Sequence, residues 1–592
     1  MTALGDFNAR YGRLPEPPRL RPVVLGLRLL LMALAAAAVA LEHGFHEPRL
    51  TVLILRGAEA LLLAAYTTDV LLRRKFKREP LPGAGVNALD YGLFVIGGLG
   101  LVGFALGFEQ AWRFVEFAAV AFFCAELWRS NMAMSSALAR PGLLLPVSFF
   151  LLVAVGTLLL MMPVATPFDQ PIGWIDALFT ATSAVCVTGL TVRDTATGFT
   201  AFGHTVIAIL IQLGALGIII FGSVLALMFG HGLSLRDNVS LSEMLHDQPM
   251  NQITRFVRFI VLVTLGIELL TAAALYPLWH GDMSMSQRTT MSLFHAVSAF
   301  CNAGFDLTGE SLIGYRYAPL THLVIMPIIG IGAIGFPVIE NVWRTFKSRV
   351  RTWWRRKDRQ EVSLRTAHLN LHTRIVLVTA MSLWIFGIIG ITAGELVAGG
   401  QPHSFGHTLL DSVFLAQASR TAGFTTVAMD ELSDTSIFTL IVLMLIGGSP
   451  GSPAGGMKTT VLALLLLSVF ATLRNRPETE GFRRTLSDAL VRRAATIAVC
   501  YVALAVGAIL LLSLTEAGRF PLQAIVFDTV SAVGTVGLAF GVPGDASDAG
   551  KAILSGTMFL GRVGPLPALG ALMLAGRRRQ AYRYAHEDVV LG

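Results

Sequence analysis

Four glycines, Gly189, Gly304, Gly423 and Gly537, lie 115, 119 and 114 residues apart and end four stretches of one plan. The stretches are Phe179-Thr-Ala-Thr-Ser-Ala-Val-Cys-Val-Thr-Gly189, Phe294-His-Ala-Val-Ser298-Ala-Phe-Cys-Asn-Ala-Gly304, Val413-Phe-Leu-Ala-Gln417-Ala-Ser-Arg-Thr-Ala-Gly423 and Phe527-Asp-Thr-Val-Ser531-Ala-Val-Gly-Thr-Val-Gly537. An aromatic ten residues before the glycine and a serine six before it recur in three copies; Val413 and Gln417 replace them in the third. Glycine tolerates positive φ and close backbone approach, so a short extended loop there can aim carbonyl oxygens at a common axis. A cation on that axis exchanges hydration water for carbonyl oxygen. The loop residues Val187-Thr188, Asn302-Ala303, Thr421-Ala422 and Thr535-Val536 carry no carboxylate, which argues against a divalent-cation ring and for a monovalent ion. Singly, each glycine also reads as a helix C-cap or a packing glycine; four in matching contexts favour a pore.

A second polar interruption runs from Gly447 to Lys458. Gly447, Gly448, Gly451, Gly455 and Gly456, with Ser449, Ser452, Pro450 and Pro453, are poor interior helix formers set in an apolar stretch. Such backbone at membrane depth must be buried in protein or line a water-filled path, so a gate is expected across that path, below the glycines. Lys458 at its end and Arg562 in the last helix are costly charges, expected to bond the loop's carbonyls; the alternative is a fixed proline kink with both cations snorkelling to the interface. Arg420, three residues before its glycine, is expected to support the loop from behind, bonded to loop carbonyls or to an outer acid, rather than to repel ions directly. Asp194, Asp306, Asp430 and Glu431 lie just outside the loops, either concentrating cations or forming a solvated rim.

Other patterns carry no chemistry in this context. Gly98 to Gly103 and Gly330 to Gly335 match G-x-G-x-x-G but lie in apolar spans with no preceding strand, and read as close-packing glycines. Gly447-Gly-Ser-Pro-Gly451 has the letters of a nucleophile elbow without its strand-to-helix turn. No Walker-type phosphate loop and no H-E-x-x-H occurs, so the chain supplies no ATPase of its own. His295 reads as a satisfied helix residue. Cys124, Cys186, Cys301 and Cys500 form no C-x-x-C pair and read as small buried thiols.

Composition sets the elements that must position these residues. With 54% hydrophobic and 14% charged residues over 592 positions, the chain belongs in a membrane. The net charge of +8 sits in short basic runs between apolar spans, a cytoplasmic-loop bias rather than a nucleic-acid site. Twelve spans of about 20 residues are expected, four of them before the glycine units at about 22–42, 50–72, 88–109 and 111–128. Each unit then has a spanning helix, a short pore helix ending at the glycine and a second spanning helix. These are about 142–162, 173–186 and 201–229 in the first unit, with outer helices at about 254–279 and 318–343, 374–398 and 435–472, and 490–514 and 552–576 in the others. The basic runs Arg73 to Arg78, Arg344 to Arg365, Arg474 to Arg493 and Arg577 to Arg583 agree on one orientation, with the glycine loops outside and both termini cytoplasmic. The first span is expected to be retained. The expected fold is therefore an all-α polytopic membrane protein. Residues 1–140 form a four-helix N-terminal extension, and 141–240, 241–365, 366–480 and 481–592 form four parallel helix–pore-loop–helix repeats around one pseudo-fourfold pore. Glu59, Asp69, Asp90, Arg56 and Arg113 lie in or beside the first spans, but the fourth span lacks the regular arginines of a voltage sensor, which favours an accessory bundle.

At these motifs the chain resembles the Ktr/Trk/HKT superfamily of potassium transporters, particularly the bacterial Ktr/Trk membrane subunits, over about residues 142–592. Val187-Thr-Gly-Leu190, Asn302-Ala-Gly-Phe305, Arg420-Thr-Ala-Gly-Phe424 and Gly534-Thr-Val-Gly-Leu538 are similar to the family's filters in order. Gly447 to Lys458 resembles its intramembrane gating loop, and Gly561-Arg-Val-Gly-Pro565 its final-helix motif; Pro450 and Pro453 depart from the expected loop and can stiffen it. The resemblance implies uptake of K+ through the filter, no enzymatic activity and no covalent cofactor, with Na+ left open as a coupling or activating ion. It also implies a homodimer of complete pores in the plasma (inner) membrane. Cytosolic nucleotide-binding regulator-of-conductance subunits would dock on basic loops such as Arg344–Arg365 and Arg474–Arg493, loops that equally suit anionic lipid. The competing reading is a secondary transporter with a midplane solute site between broken helices; that calls for inverted repeats, whereas these units enter from one side.

Overall fold

The computed structural model describes residues 88–106, 141–217, 253–279, 283–357, 368–399 and 404–565, with single positions at 56 and between 111 and 118. The spans expected near 22–42, 50–72 and most of 111–128, the basic runs Arg73 to Arg78 and Arg577 to Arg583, and both termini lie outside the described residues. The chain divides into two units: Met1–Ala139 with Met228–His231, and Arg140–Leu227 with Gly232–Gly592.

In the first unit, α1 (Ala88–Ala105) occupies the expected third span. A Cβ added at Gly100 would lie 2.9 Å from Val115, and one at Gly103 2.7 Å from Ala111, so these two glycines do permit close packing, whereas Gly98 faces open space. The Arg56 guanidinium lies 5.8 Å from the ring centroids of both Phe104 and Trp112.

The second unit repeats one local plan. Its helices are α2 (Pro141–Leu160), α3 (Trp174–Cys186) and α4 (Ala201–Leu216); α5 (Ile253–Leu275), α6 (Met285–Cys301) and α7 (Met326–Ile334), followed by α8 (Phe336–Lys357); α9 (Leu371–Ala398), α10 (Phe405–Ala418), α11 (Asp434–Leu445) and α12 (Thr459–Leu473); and α13 (Asp488–Thr515), α14 (Leu522–Gly534) and α15 (Asp548–Val563). Serine and threonine side chains start many of them. Thr200, Ser284, Ser404, Ser433 and Ser547 each accept a backbone N–H from the first turn, and Ser284 forms a reciprocal capping box with Gln287. The short helices α3, α6, α10 and α14 pack between the outer helices of their own segment. Each second outer helix also packs on the short helix of the next segment: α4 on α6, α7 on α10, α11 on α14, and α15 back on α3. The contacts therefore close on themselves. At their centre, Phe179, Phe294 and Phe527, the aromatics ten residues before the glycines, are buried.

Three departures from the sequence expectation concern the second outer helices. The helices expected to run unbroken over 201–229, 318–343 and 552–576 are interrupted at Gly217 (φ 70°, ψ 138°), Gly335 (φ 95°, ψ 144°) and Gly564 (φ 91°, ψ 135°); residues 218–229 and 566–576 lie outside the described residues. Up to those glycines, α4 and α15 have 16 residues each, about 24 Å of rise. Beyond Gly335 the chain turns by 102°. The first half of the expected loop Arg344 to Arg365 is accordingly helix α8, which runs to Lys357. The region Arg474 to Arg493 contains a two-stranded hairpin, Thr479–Gly481 paired antiparallel with Arg484–Leu486, so the described fold is mostly rather than wholly helical.

Candidate functional site

The four short helices end alike. Val187, Asn302 and Thr535 cap α3, α6 and α14 in the left-handed region, and the following amides of Thr188, Ala303 and Val536 reach back to the carbonyls of Ser183, Ser298 and Ser531 at 2.7–2.8 Å. In the third segment Thr421 takes the positive φ, 79°, and Ala422 N–H bonds Ala418 O at 2.9 Å. Two residues further on is the glycine, with φ of 87° at Gly189, 72° at Gly304, 73° at Gly423 and 101° at Gly537.

These glycines meet. A Cβ at Gly189 would lie 2.3 Å from the Ala303 carbonyl oxygen, at Gly304 2.9 Å from that of Ala422, at Gly423 2.7 Å from that of Val536, and at Gly537 2.4 Å from that of Thr188. Each glycine thus presses on the carbonyl preceding the glycine of the next segment, and the fourth returns to the first. Glycine is required twice over, by the dihedral angle and by the space. Among the described residues, the carbonyls of Thr188, Ala303, Ala422 and Val536 accept no hydrogen bond. The buried hydroxyls of Thr188, Thr421 and Thr535 have no partner either. The twelve expected filter residues are therefore brought to one place, where a ring of unpaired oxygens can take a dehydrated cation.

The serine six residues before the glycine now has a reason. Ser183 and Ser531 Oγ accept the N–H of Gly189 and Gly537 at 3.1 Å, and Ser298 Oγ donates to Phe305 O at 2.7 Å. Three residues before that serine, Asp528 accepts from Phe540 N and Val542 N at 2.7 and 2.9 Å, holding the chain beyond Gly537. His295 holds the equivalent place: one ring nitrogen lies 2.8 Å from Met291 O and the other 3.5 Å from Leu307 N. Arg420 is buried, but its Nη1 donates to Ala380 O of α9 at 3.2 Å, not to a loop carbonyl or an outer acid as expected. Its Nε and Nη2 find no partner among the described residues. Two of the outer acids are spent locally. Asp194 caps the turn at Ala196 and Thr197, and Asp306 accepts from Thr308, Gly309 and Ser311.

Between α11 and α12, Gly447 to Lys458 is a non-helical loop whose ends are joined by a bridge between Ile446 and Met457. It lies directly against the glycine ring. A Cβ at Gly455 would meet Thr535 Oγ1 at 2.0 Å, and one at Gly456 the Gly534 carbonyl at 3.1 Å. Its near end is tied to the break in the second segment: Ser449 N donates to Ala333 O and Phe336 N to Gly451 O, both at 3.0 Å. Gly335 would place a Cβ 2.6 Å from Pro450 O, so this glycine, expected to serve helix packing, marks a helix break against the loop. Internally, Ser452 Oγ donates to Ser449 O at 2.6 Å, Thr459 Oγ1 to Ser449 Oγ at 3.1 Å, and Lys458 Nζ to Ala454 O at 2.5 Å. Gly447 and Gly448 stand where a Cβ would strike Gly455 O or Ala454 Cβ. Lys458 thus bonds the loop as expected. Arg562 does not: it donates to Gly214 O of α4 at 2.8 Å.

Sequence reasoning missed three features. Gly214-Ala-Leu-Gly217, Gly332-Ala-Ile-Gly335 and Gly561-Arg-Val-Gly564 share a G-x-x-G spacing, and their first glycines would place a Cβ 2.0–2.2 Å from the carbonyls of Val185, Phe300 and Val533. Those three acceptors stand four residues before Gly189, Gly304 and Gly537, so the spacing was a readable repeat signal. The second is a trio in which buried Glu268 receives half-buried Gln212 Nε2 at 3.3 Å and buried Cys301 Sγ at 3.6 Å. The third is a set of joints between segments on the glycine side: Arg316 to Asp411 at 2.7 Å, Lys551 to Asp176 at 2.7 Å and Gln523 to Asp434 at 3.3 Å.

This geometry has relatives. A family model described as TrkH, cation transport protein, matches residues 114–574. The chain is 34% identical to Ktr system potassium uptake protein B of Bacillus subtilis over 457 residues, 76% of this chain and 97% of that protein. It is 33% identical to the potassium/sodium uptake protein NtpJ of Enterococcus hirae, with 76% and 97% coverage. The crystal structure of the potassium transporter TrkH from Vibrio parahaemolyticus superposes with a TM-score of 0.59 at 19% identity, covering 82% of this chain and 97% of that one, a likeness of fold. The chain belongs to the TrkH cation transport family within the Ktr/Trk superfamily, whose members are membrane ion transporters rather than enzymes.

Proposed function

We propose that this protein takes up K+ along a path through the ring of Gly189, Gly304, Gly423 and Gly537. The observation that carries the reading is the cyclic closure of the ring, in which each glycine abuts the free carbonyl of the next segment. The carbonyls of Thr188, Ala303, Ala422 and Val536 would replace the ion's water, and the unpartnered threonine hydroxyls extend the same oxygen lining. The names of the relatives, potassium uptake and potassium/sodium uptake, support K+ as the cargo and leave Na+ open as a coupling or activating ion.

In this reading Gly447 to Lys458 is the gate. Its Gly455 and Gly456 press on Thr535 and Gly534, and moving them away from that contact would open the path. Arg420 stiffens the third loop through Ala380, and Arg562 holds α15 to α4, so that the fourth and first segments move together. The glycine ring faces outward in a plasma membrane, both termini are cytoplasmic, and complete pores pair as a homodimer with cytosolic nucleotide-binding regulators beneath. The breaks at Gly217, Gly335 and Gly564 also suit the secondary-transporter reading, but four segments closing head to tail support one axial path over a site between inverted halves. The test is growth of a K+-uptake-deficient host at limiting K+, with flux into liposomes holding the purified protein. Rescue that disappears with Gly423→Asp while the protein remains inserted is the expected result; equal rescue by both would refute the path.

A further inference from the structure

Helix α8 presents its surface inside out. At 100° per residue, Val342, Trp353, Phe346, Val350, Trp343 and Trp354 fall on one arc of ~120°. All six are exposed, Trp353 at 65% and Trp354 at 62% among them. The opposite arc is polar and turned inward: Thr345 is buried, and Asn341, which accepts Asn370 N–H at 3.0 Å, Ser348 and Thr352 are half-buried. Lys347 and Arg351 flank the apolar arc on one side and Arg349 on the other; all three are exposed and form no ion pair among the described residues. A helix with this pattern is stable in water only if something apolar and anionic covers it. The 102° turn at Gly335 takes its axis well away from that of α7, as a helix lying along a membrane surface requires. Tryptophan at the headgroup level and basic residues at the anionic surface are the side chains that such a position favours.

We propose that α8 is an interfacial helix that binds anionic phospholipid, its aromatic arc among the acyl chains and Lys347, Arg349 and Arg351 on the phosphates. This goes beyond the ion path, and it gives the loop a second input. The N-terminus of α8 is hydrogen-bonded to the loop through Phe336 N and Gly451 O, so lipid engagement bears on the same break that holds Ser449 to Gly451.

The test uses the purified full-length protein in detergent, incubated with equal amounts of phosphatidylglycerol and phosphatidylcholine, with bound lipid counted by native mass spectrometry. Wild type should prefer phosphatidylglycerol by about tenfold or more, since each basic residue near an anionic surface is worth about fivefold. K347Q/R349Q/R351Q should lose most of that preference, and W343A/F346A should bind less of both lipids. Raising the salt concentration on wild type alone should erode the preference by screening, an arm that does not depend on any variant folding. Equal binding of the two lipids by wild type would overturn the proposal. So would W343A/F346A turning a dimer into a monomer while leaving lipid preference intact, which would make the arc a contact between copies.

Discussion

Three of the second outer helices break at one glycine, whereas the third segment breaks over a dozen residues. In α4, α7 and α15 a single residue with positive φ ends the helix three positions after a glycine seated on a pore-helix carbonyl. In the third segment the chain leaves α11 at Ile446 and does not re-enter helix until Thr459, and the excursion fills the space against Thr535. All four solve the same problem, ending a helix against the inner end of a short neighbour. Among the described residues, only the third does so with a long non-helical loop, Gly447 to Lys458. In the proposed reading, the parts that build the ring are fourfold, whereas the gate is local to one segment.

Gly423→Asp attacks the fourfold part and should have the largest effect, reducing uptake to background. Its side chain would enter at φ 73° within 2.7 Å of Val536 O. Gly189, Gly304 and Gly537 should behave alike, measured as K+-limited growth with inserted protein quantified. Deleting Ser449–Ala454 attacks the local part and should do the opposite, raising K+ flux in liposomes by about tenfold, ~1.4 kcal/mol of barrier. It should also weaken dependence on any cytosolic regulator. Gly214→Ala, Gly332→Ala and Gly561→Ala should each cost ~1–3 kcal/mol by overpacking, because the carbonyl they would strike is backbone and cannot swing away. Thermal unfolding in detergent reads that loss, and Gly556→Ala, which faces open space, is the control. Arg562→Gln should have the smallest effect, changing flux less than about threefold, under ~1 kcal/mol. Glutamine can still donate to Gly214 O, and the loop is not its partner. A change as large as that of the loop deletion would restore Arg562 to direct contact with the gate.

How much of this was legible depended on whether the signal was local. The glycine period, the short helices and the loop at Gly447 to Lys458 follow from residue types that forbid helix or tolerate positive φ, and these can be read one stretch at a time. The partner of Arg562 could not be read, because which neighbour a helix face meets is a tertiary fact: Arg562 lies 348 positions from Gly214. Arg420 was expected to find oxygen, and it did, but on α9. The helix breaks were missed for a different reason. Gly217, Gly335 and Gly564 sit in runs apolar enough to count as continuous spans, and hydropathy does not register a backbone turn. Aligning the segments on Gly189, Gly304 and Gly537 would have shown the shared G-x-x-G. The same hydropathy logic hid α8, whose basic residues suggested a loop although its apolar positions recur at helical spacing.

Whether the ring of four glycines holds the ion can be seen in a crystal or electron-microscopy structure with Tl+ or Rb+ in place of K+. Density is expected on the axis of the ring, coordinated by the carbonyl oxygens of Thr188, Ala303, Ala422 and Val536, and lost in Gly423→Asp. Density confined to another site, with the ring empty at saturating ion and uptake intact, would contradict it.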